Sequence, residues 1–222
     1  MSNLFRQLVA RSCSTSCSAG AKTTKSRLRS LLRETAQPVA VVTSFMSPDA
    51  SLRTDEDTPK YHGATLSSFT SIAMDPVPLV SFALRIPSRM ASSLNSSSSS
   101  DMVINLLCAG QASVATSFSR PDLHPRPFAT TPYFLNAEGL PVIQGSLGAI
   151  SCKLVSRGVP LHDLPLLFGG HEEGTPPKSA SAEVVSELFI AQVTRVEVLE
   201  VSGDDRPLLY HRRRFTSILD GI

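Results

Sequence analysis

From Gln37 to the C-terminus the chain contains only short β-branched or apolar runs, repeatedly cut by 16 prolines, 11 glycines and clusters of serine. No long 3.6-residue apolar period survives that punctuation, so the segments read as strands separated by polar loops. Pro38 to Phe45 (PVAVVTSF) suits a buried strand, and Leu188 to Val201 (LFIAQVTRVEVLEV) alternates most clearly. Between these lie expected strands at Gly63 to Ile72, Pro78 to Leu84, Asp101 to Leu107 and Leu147 to Val155, with Pro207 to Phe215 closing the sheet. Helices are expected at Ser88 to Asn95, where Ser88 can cap the first turn, and at Gln111 to Phe118. Met46 to Lys60, with two prolines and four acids, reads as an exposed hairpin loop, and the serine run 96–100 as a connector. Five prolines between Pro121 and Pro141 predict an irregular excursion, and Gly158 to Ala182 reads as a long loop. Many short strands with two or three short helices indicate a mainly β fold, a barrel or closed sheet with helices at its ends.

Charge is divided unevenly along this frame. Seven of the 21 Lys and Arg fall in the first 33 residues, which hold no acid; the remaining 14 face all 19 Asp and Glu, a net of −5. A mildly acidic body excludes nucleic-acid binding through bulk charge. The first 33 residues are basic and serine-rich, and Leu4, Phe5, Leu8 and Val9 stand around Arg6 and Arg11 as one face of a short amphipathic helix. That is the composition of a mitochondrial transit peptide, with a disordered basic tail as the alternative, and it places the mature protein in the matrix. No uninterrupted apolar stretch there reaches the length of a secretory signal core, and none anywhere reaches a membrane span. The expected division is therefore a targeting segment or tail over 1–33 and one domain over 34–222.

Candidate chemistry is sparse. Four cysteines are too few and scattered for a disulfide framework, and Cys108 and Cys152 sit beside apolar residues, where a thiol behaves as a small hydrophobe. The five histidines lack metal-ligand spacing and read as ordinary surface or loop residues. The chain has no GxGxxG after a strand and no GxxxxGK[ST], which removes Rossmann and P-loop modes of nucleotide binding. What stands out is Thr65, Ser67 and Ser68, short hydroxyls on a strand edge able to hydrogen-bond a planar polar ligand without blocking its approach. Ser88 and Arg89 follow at a helix start, a place suited to an anion. Asn105 lies in an apolar strand, where burial would demand partners for its amide.

The ordered succession of His62-Gly63-Ala64-Thr65-Leu66-Ser67-Ser68-Phe69-Thr70-Ser71-Ile72, Pro76, Pro78 to Leu84, Ser88-Arg89, Val103 to Leu107 and Gln111 to Ser119 resembles the flavin reductase-like family. The resemblance continues through Gly139-Leu140-Pro141, Ala149 to Cys152 and Pro207 to Tyr210, covering about 37–215. It implies an FMN-binding split β-barrel and, in function, hydride transfer from NAD(P)H to flavin. It also implies Thr65, Leu66, Ser67 and Ser68 against the flavin, Ser88 and Arg89 on its phosphate, Asn105 near the cofactor, and a homodimer. One phosphate-sized site favours FMN over FAD. No metal and no particular catalytic residue is implied. The sequence departs from the family at three places. Val184, Val185 and Ser186 stand where reductases usually carry Gly-Asp-His, Ala191 where a strand glycine is frequent, and Met90 where a hydroxyl is frequent. Loss of that histidine leaves flavin binding in place and opens the alternative of a flavin carrier or partner protein without turnover. A scaffold that has lost the cofactor is the third alternative.

Overall fold

The computed structural model describes residues 16–46, 61–96, 101–161, 185–197, 199 and 206–218. The expected hairpin loop at 47–60, the serine connector beyond 96, most of the 158–182 loop and the helix around Leu4 to Arg11 lie outside the described residues. Among the described residues three α-helices, α1 (Ser16–Arg33), α2 (Arg89–Asn95) and α3 (Ala112–Ser119), accompany thirteen strands. The main sheet uses β2 (Ala40–Phe45), β3 (Tyr61–Leu66), β4 (Thr70–Ala73), β5 (Leu79–Ile86), β6 (Asp101–Leu106), β9 (Gly148–Leu154) and β11 (Val185–Glu197). Their order is β3-β2-β6-β9-β11-β5-β4, antiparallel throughout, with the two-residue β10 (Val159–Pro160) pairing on β11.

The first and last strands of that order, β3 and β4, are consecutive in sequence. Only Ser67, Ser68 and Phe69 separate them, a span of at most about 14 Å for four Cα steps. A seven-strand path whose two edges must come that close cannot stay flat, so the sheet curls into a barrel with a split between β3 and β5. The strand expected at Gly63 to Ile72 is therefore two strands on opposite edges of the sheet. Both have the same β-forming composition, which hides the break between them.

The barrel interior is filled by Val42, Leu66, Phe82, Leu84, Met102, Ile104 and Phe189 among others. Phe82 and Phe189, paired across β5 and β11, stack with centroids 5.5 Å apart. β2 is buried on both faces. Ala40 and Val42 enter the barrel core, while Val39 and Val41 pack outward with Leu107, Ala115, Phe118, Ile143 and Leu208. The second layer is built by α3, by the hairpin β7 (Tyr133–Leu135) and β8 (Pro141–Ile143), and by a three-stranded sheet of β1 (Gln37–Pro38), β12 (Leu209–His211) and β13 (Arg214–Thr216). The expected irregular stretch before Pro141 thus contains a hairpin, turned at Asn136 and Gly139 (φ +74°). Pro207 to Phe215 does not close the barrel. It folds back on itself at Arg212 and Arg213, both at positive φ, and pairs with β1 instead.

α1 carries Lys25, Arg27, Arg29 and Arg33, and its Leu28, Leu31 and Leu32 are exposed. Its end is tied to the domain where the Arg212 N–H donates to the Arg33 carbonyl and the Arg212 guanidinium pairs with Glu34. Among the described residues no helix is long and apolar enough to cross a membrane.

Candidate functional site

The split in the barrel is a cleft of about 880 Å³. One wall is β3 with its continuation through Ser68, the other is Ala83 to Arg85 of β5. Arg89, Phe118 and Ser119, and the rings of Tyr210 and Phe215, stand around it. Along β2 the Val39 carbonyl accepts from Leu107, so by the alternation of an antiparallel ladder the backbone groups of Gly63 and Thr65 point away from β2, toward the split. Unpaired strand edges facing a cleft supply backbone donors and acceptors to a polar planar ligand.

The sequence-expected residues meet different fates here. Thr65, Leu66, Ser67, Ser68 and Arg89 all line the one cleft. Their hydroxyls are not equivalent. Thr65 Oγ1 donates to the Ala115 carbonyl (2.7 Å), holding α3 against β3. Ser68 Oγ accepts from Ala83 N–H (2.9 Å) and donates to the Ala83 carbonyl (3.1 Å), replacing a rung where the β4–β5 ladder has ended. Ser67, exposed on the cleft, forms no hydrogen bond with the described residues, so its donor and acceptor face the cleft unspent.

Ser88 is the N-cap of α2, its Oγ accepting from Ala91 N–H at 3.1 Å, and it is not part of the cleft wall. The helix has seven residues, so its dipole is small, and the anion-seeking group at this corner is the Arg89 guanidinium. Asn105 is placed elsewhere altogether. It is fully buried, donates from Nδ2 to the Val41 carbonyl (3.1 Å) and accepts the Ile143 N–H at Oδ1 (2.8 Å), fastening β8 to the outer face of the sheet. The demand of a buried amide for partners is met by backbone, on the face opposite the barrel interior.

His62, which reads as an ordinary residue in the sequence, lines the cleft beside Arg89. Burial, and secondarily the charge of Arg89, lower its pKa to about 4, so the imidazole is neutral near pH 7 and offers one donor and one acceptor. Its position inside the HGATLSS motif was the available signal. Gly63 next to it is required by close approach, since a Cβ there would lie 2.4 Å from the Phe118 ring. Ser186, at the place of the usual family histidine, also lines the cleft, from β11. Ala191 and Met90 are buried in the barrel core, where the former packs as a small apolar residue and the latter lies 3.4 Å from Ser44 Oγ. Cys108 and Cys152 are buried and free, and burial pushes the Cys152 thiol up to about 12, which removes thiolate chemistry.

The flavin reductase like domain family matches residues 32–219. No curated protein matches the chain significantly in sequence. Among solved structures, the flavin reductase of styrene monooxygenase from Pseudomonas putida superposes with a TM-score of 0.62 at 25% identity, covering 87% of this chain and 98% of that one. A nitrilotriacetate monooxygenase component B homologue from Mycobacterium thermoresistibile gives 0.63 at 22% identity, covering 90% and 89%. An NADH:FAD oxidoreductase from Streptomyces globisporus, solved with NAD and FAD fragments, gives 0.62 at 20% identity over 89% and 94%.

Proposed function

Because the chain belongs to the flavin reductase-like domain family, we propose that its cleft binds the FMN half of a flavin nucleotide and that the protein is an NAD(P)H-dependent flavin reductase. The observation that carries this reading is the cleft of about 880 Å³ walled by Thr65 to Ser68 and by Arg89. That volume lies in the upper part of the range of about 300–1,000 Å³ usual for small-molecule sites, enough for two rings to lie face to face. The donor set fits. Strand-edge backbone and the free Ser67 hydroxyl suit ring carbonyls and ribityl oxygens, Arg89 suits a phosphate, and Tyr210 and Phe215 offer an apolar wall.

When bound, a flavin supplies the hydride-accepting centre. The chain's part is to align and to exclude water. β3 and β5, held apart but cross-linked by Ser68, set the width of the slot. Neutral His62 presents a hydrogen-bonding group beside Arg89 without adding a second cation. No side chain needs to act as acid or base for a hydride to pass between aligned rings.

Ser186 favours a second reading, a flavin carrier or partner protein without turnover, since it stands in the cleft where the family usually has histidine. Anaerobic addition of NADH to the flavin-loaded protein separates the two. Bleaching of the visible flavin band is expected, and a band that persists while flavin stays bound establishes the carrier. We also propose that 1–33 are a mitochondrial presequence directing the domain to the matrix, and that the domain works as a homodimer.

A further inference from the structure

From Thr23 to Arg33 every residue of α1 is exposed, and its Leu28, Leu31 and Leu32 are 53%, 64% and 47% accessible to solvent. Spaced at i, i+3 and i+4, these leucines form one stripe that the domain leaves uncovered. By the same helical spacing Arg27 lies along one flank of the stripe, while Lys25, Arg29 and Arg33 run down the other, and the helix contains no acid. The domain extends this surface. Arg212 is held at the end of α1 by the Arg33 carbonyl and by Glu34. The turn that begins at Arg212 carries Arg213, with Arg214 next in β13, and both side chains are exposed. Glu34, the acid nearest in sequence, is spent on Arg212. Among the described residues Lys25, Arg27, Arg29, Arg33, Arg213 and Arg214 have no ion-pair partner.

An uncovered apolar stripe flanked on both sides by uncompensated cations is complementary to a surface that is negative outside and apolar beneath. We propose that α1 and the β12–β13 turn together form a docking surface for an anionic lipid membrane. The leucines enter at the level of the headgroups, and the long Lys and Arg side chains reach sideways to the lipid phosphates. A second copy of the helix fits less well, because it would bring the flanking cations against their like. A nucleic acid would satisfy the cations and leave the leucines in water. The surface stands apart from the flavin reading of the cleft. α1 lies within the proposed presequence, whereas Arg213 and Arg214 stay with the domain, so the surface is complete in the full chain and its turn survives removal of 1–33. Tyr210 and Phe215 of the same hairpin wall the cleft, so the docked chain holds that wall near the lipid.

The test is flotation of the full chain with vesicles of phosphatidylcholine alone and of phosphatidylcholine mixed equally with phosphatidylglycerol. Binding is expected on the mixed vesicles only, and raised salt should release it. Paired substitution Leu28→Gln with Leu31→Gln should weaken binding about tenfold, and Arg213→Gln with Arg214→Gln should do the same. All four side chains are exposed and make no hydrogen bond or ion pair with the described residues, so both variants should keep the wild-type unfolding midpoint. Equal binding to the two vesicles, binding to neither, or binding indifferent to either pair of substitutions would overturn the proposal. Attachment to protease-sensitive sites on isolated mitochondria, without binding to the mixed vesicles, would assign α1 to a protein receptor and overturn it equally. Import into isolated mitochondria tests the presequence separately, and either result there leaves the flotation outcome standing.

Discussion

Three hydroxyls within four residues have separate duties, and substitution should separate them. Ser68→Ala removes both contacts with the Ala83 backbone at the barrel seam, so it should cost about 0.5–1.5 kcal/mol in chemical denaturation. Ser67→Ala removes a hydroxyl that bonds nothing in the fold, so it should leave the unfolding midpoint in place and weaken flavin by roughly three- to tenfold in a fluorescence titration. Equal effects of the two on both quantities would contradict the assignment. His62 adds a pH signature. Its folded pKa is lowered from 6.5 to about 4 by burial and by Arg89, so over that interval the unfolded chain binds the proton more readily. Stability contributed by the neutral imidazole is complete above about 6.5 and is lost as pH falls toward 4. Denaturation midpoints between pH 7 and 4 should decline less steeply in His62→Gln than in the wild type.

At the scale of elements, β2 and β6 are the members from which both layers are hung. Alternate residues of β2 enter the barrel and the outer cluster, and Asn105 on β6 holds β8 through the Ile143 N–H. Asn105→Leu should leave that amide and the Val41 carbonyl without their side-chain partner and cost about 1–3 kcal/mol in urea unfolding, with flavin affinity unchanged in whatever protein remains folded. A selective loss of flavin affinity at undiminished stability would return Asn105 to the cofactor. It was the family resemblance that implied a place for this residue near the ligand, and the strand pattern could not test it. Alternation assigns a side chain to one of two faces, but β2 and β6 are apolar on both, and periodicity alone does not say which layer the Asn105 amide serves. The Ser67–Phe69 break was illegible for a related reason, since nothing in TLSSFTSI marks where one edge of the sheet stops and the other begins.

For the whole molecule, the family match begins at residue 32 and the buried core at Val39, and the described side chains of α1 before Arg33 are exposed. A chain lacking residues 1–33, which retains Glu34 for its pair with Arg212, should fold with its unfolding midpoint unchanged and should fail to enter isolated mitochondria. Import of the truncated chain would refute the targeting role, and failure to fold would make α1 part of the domain. The mainly β class, the existence of most strands and of α2 and α3, and the kinship of the domain were all legible in the sequence, because short β-branched runs, proline breaks and an ordered set of motifs are local properties of the chain. Which hydroxyl is spent on the barrel seam, that His62 and Arg89 share a corner, and that Asn105 serves the outer layer were decided only by the tertiary structure. They depend on a curled sheet bringing its two edges together, a contact between strands that no local pattern encodes.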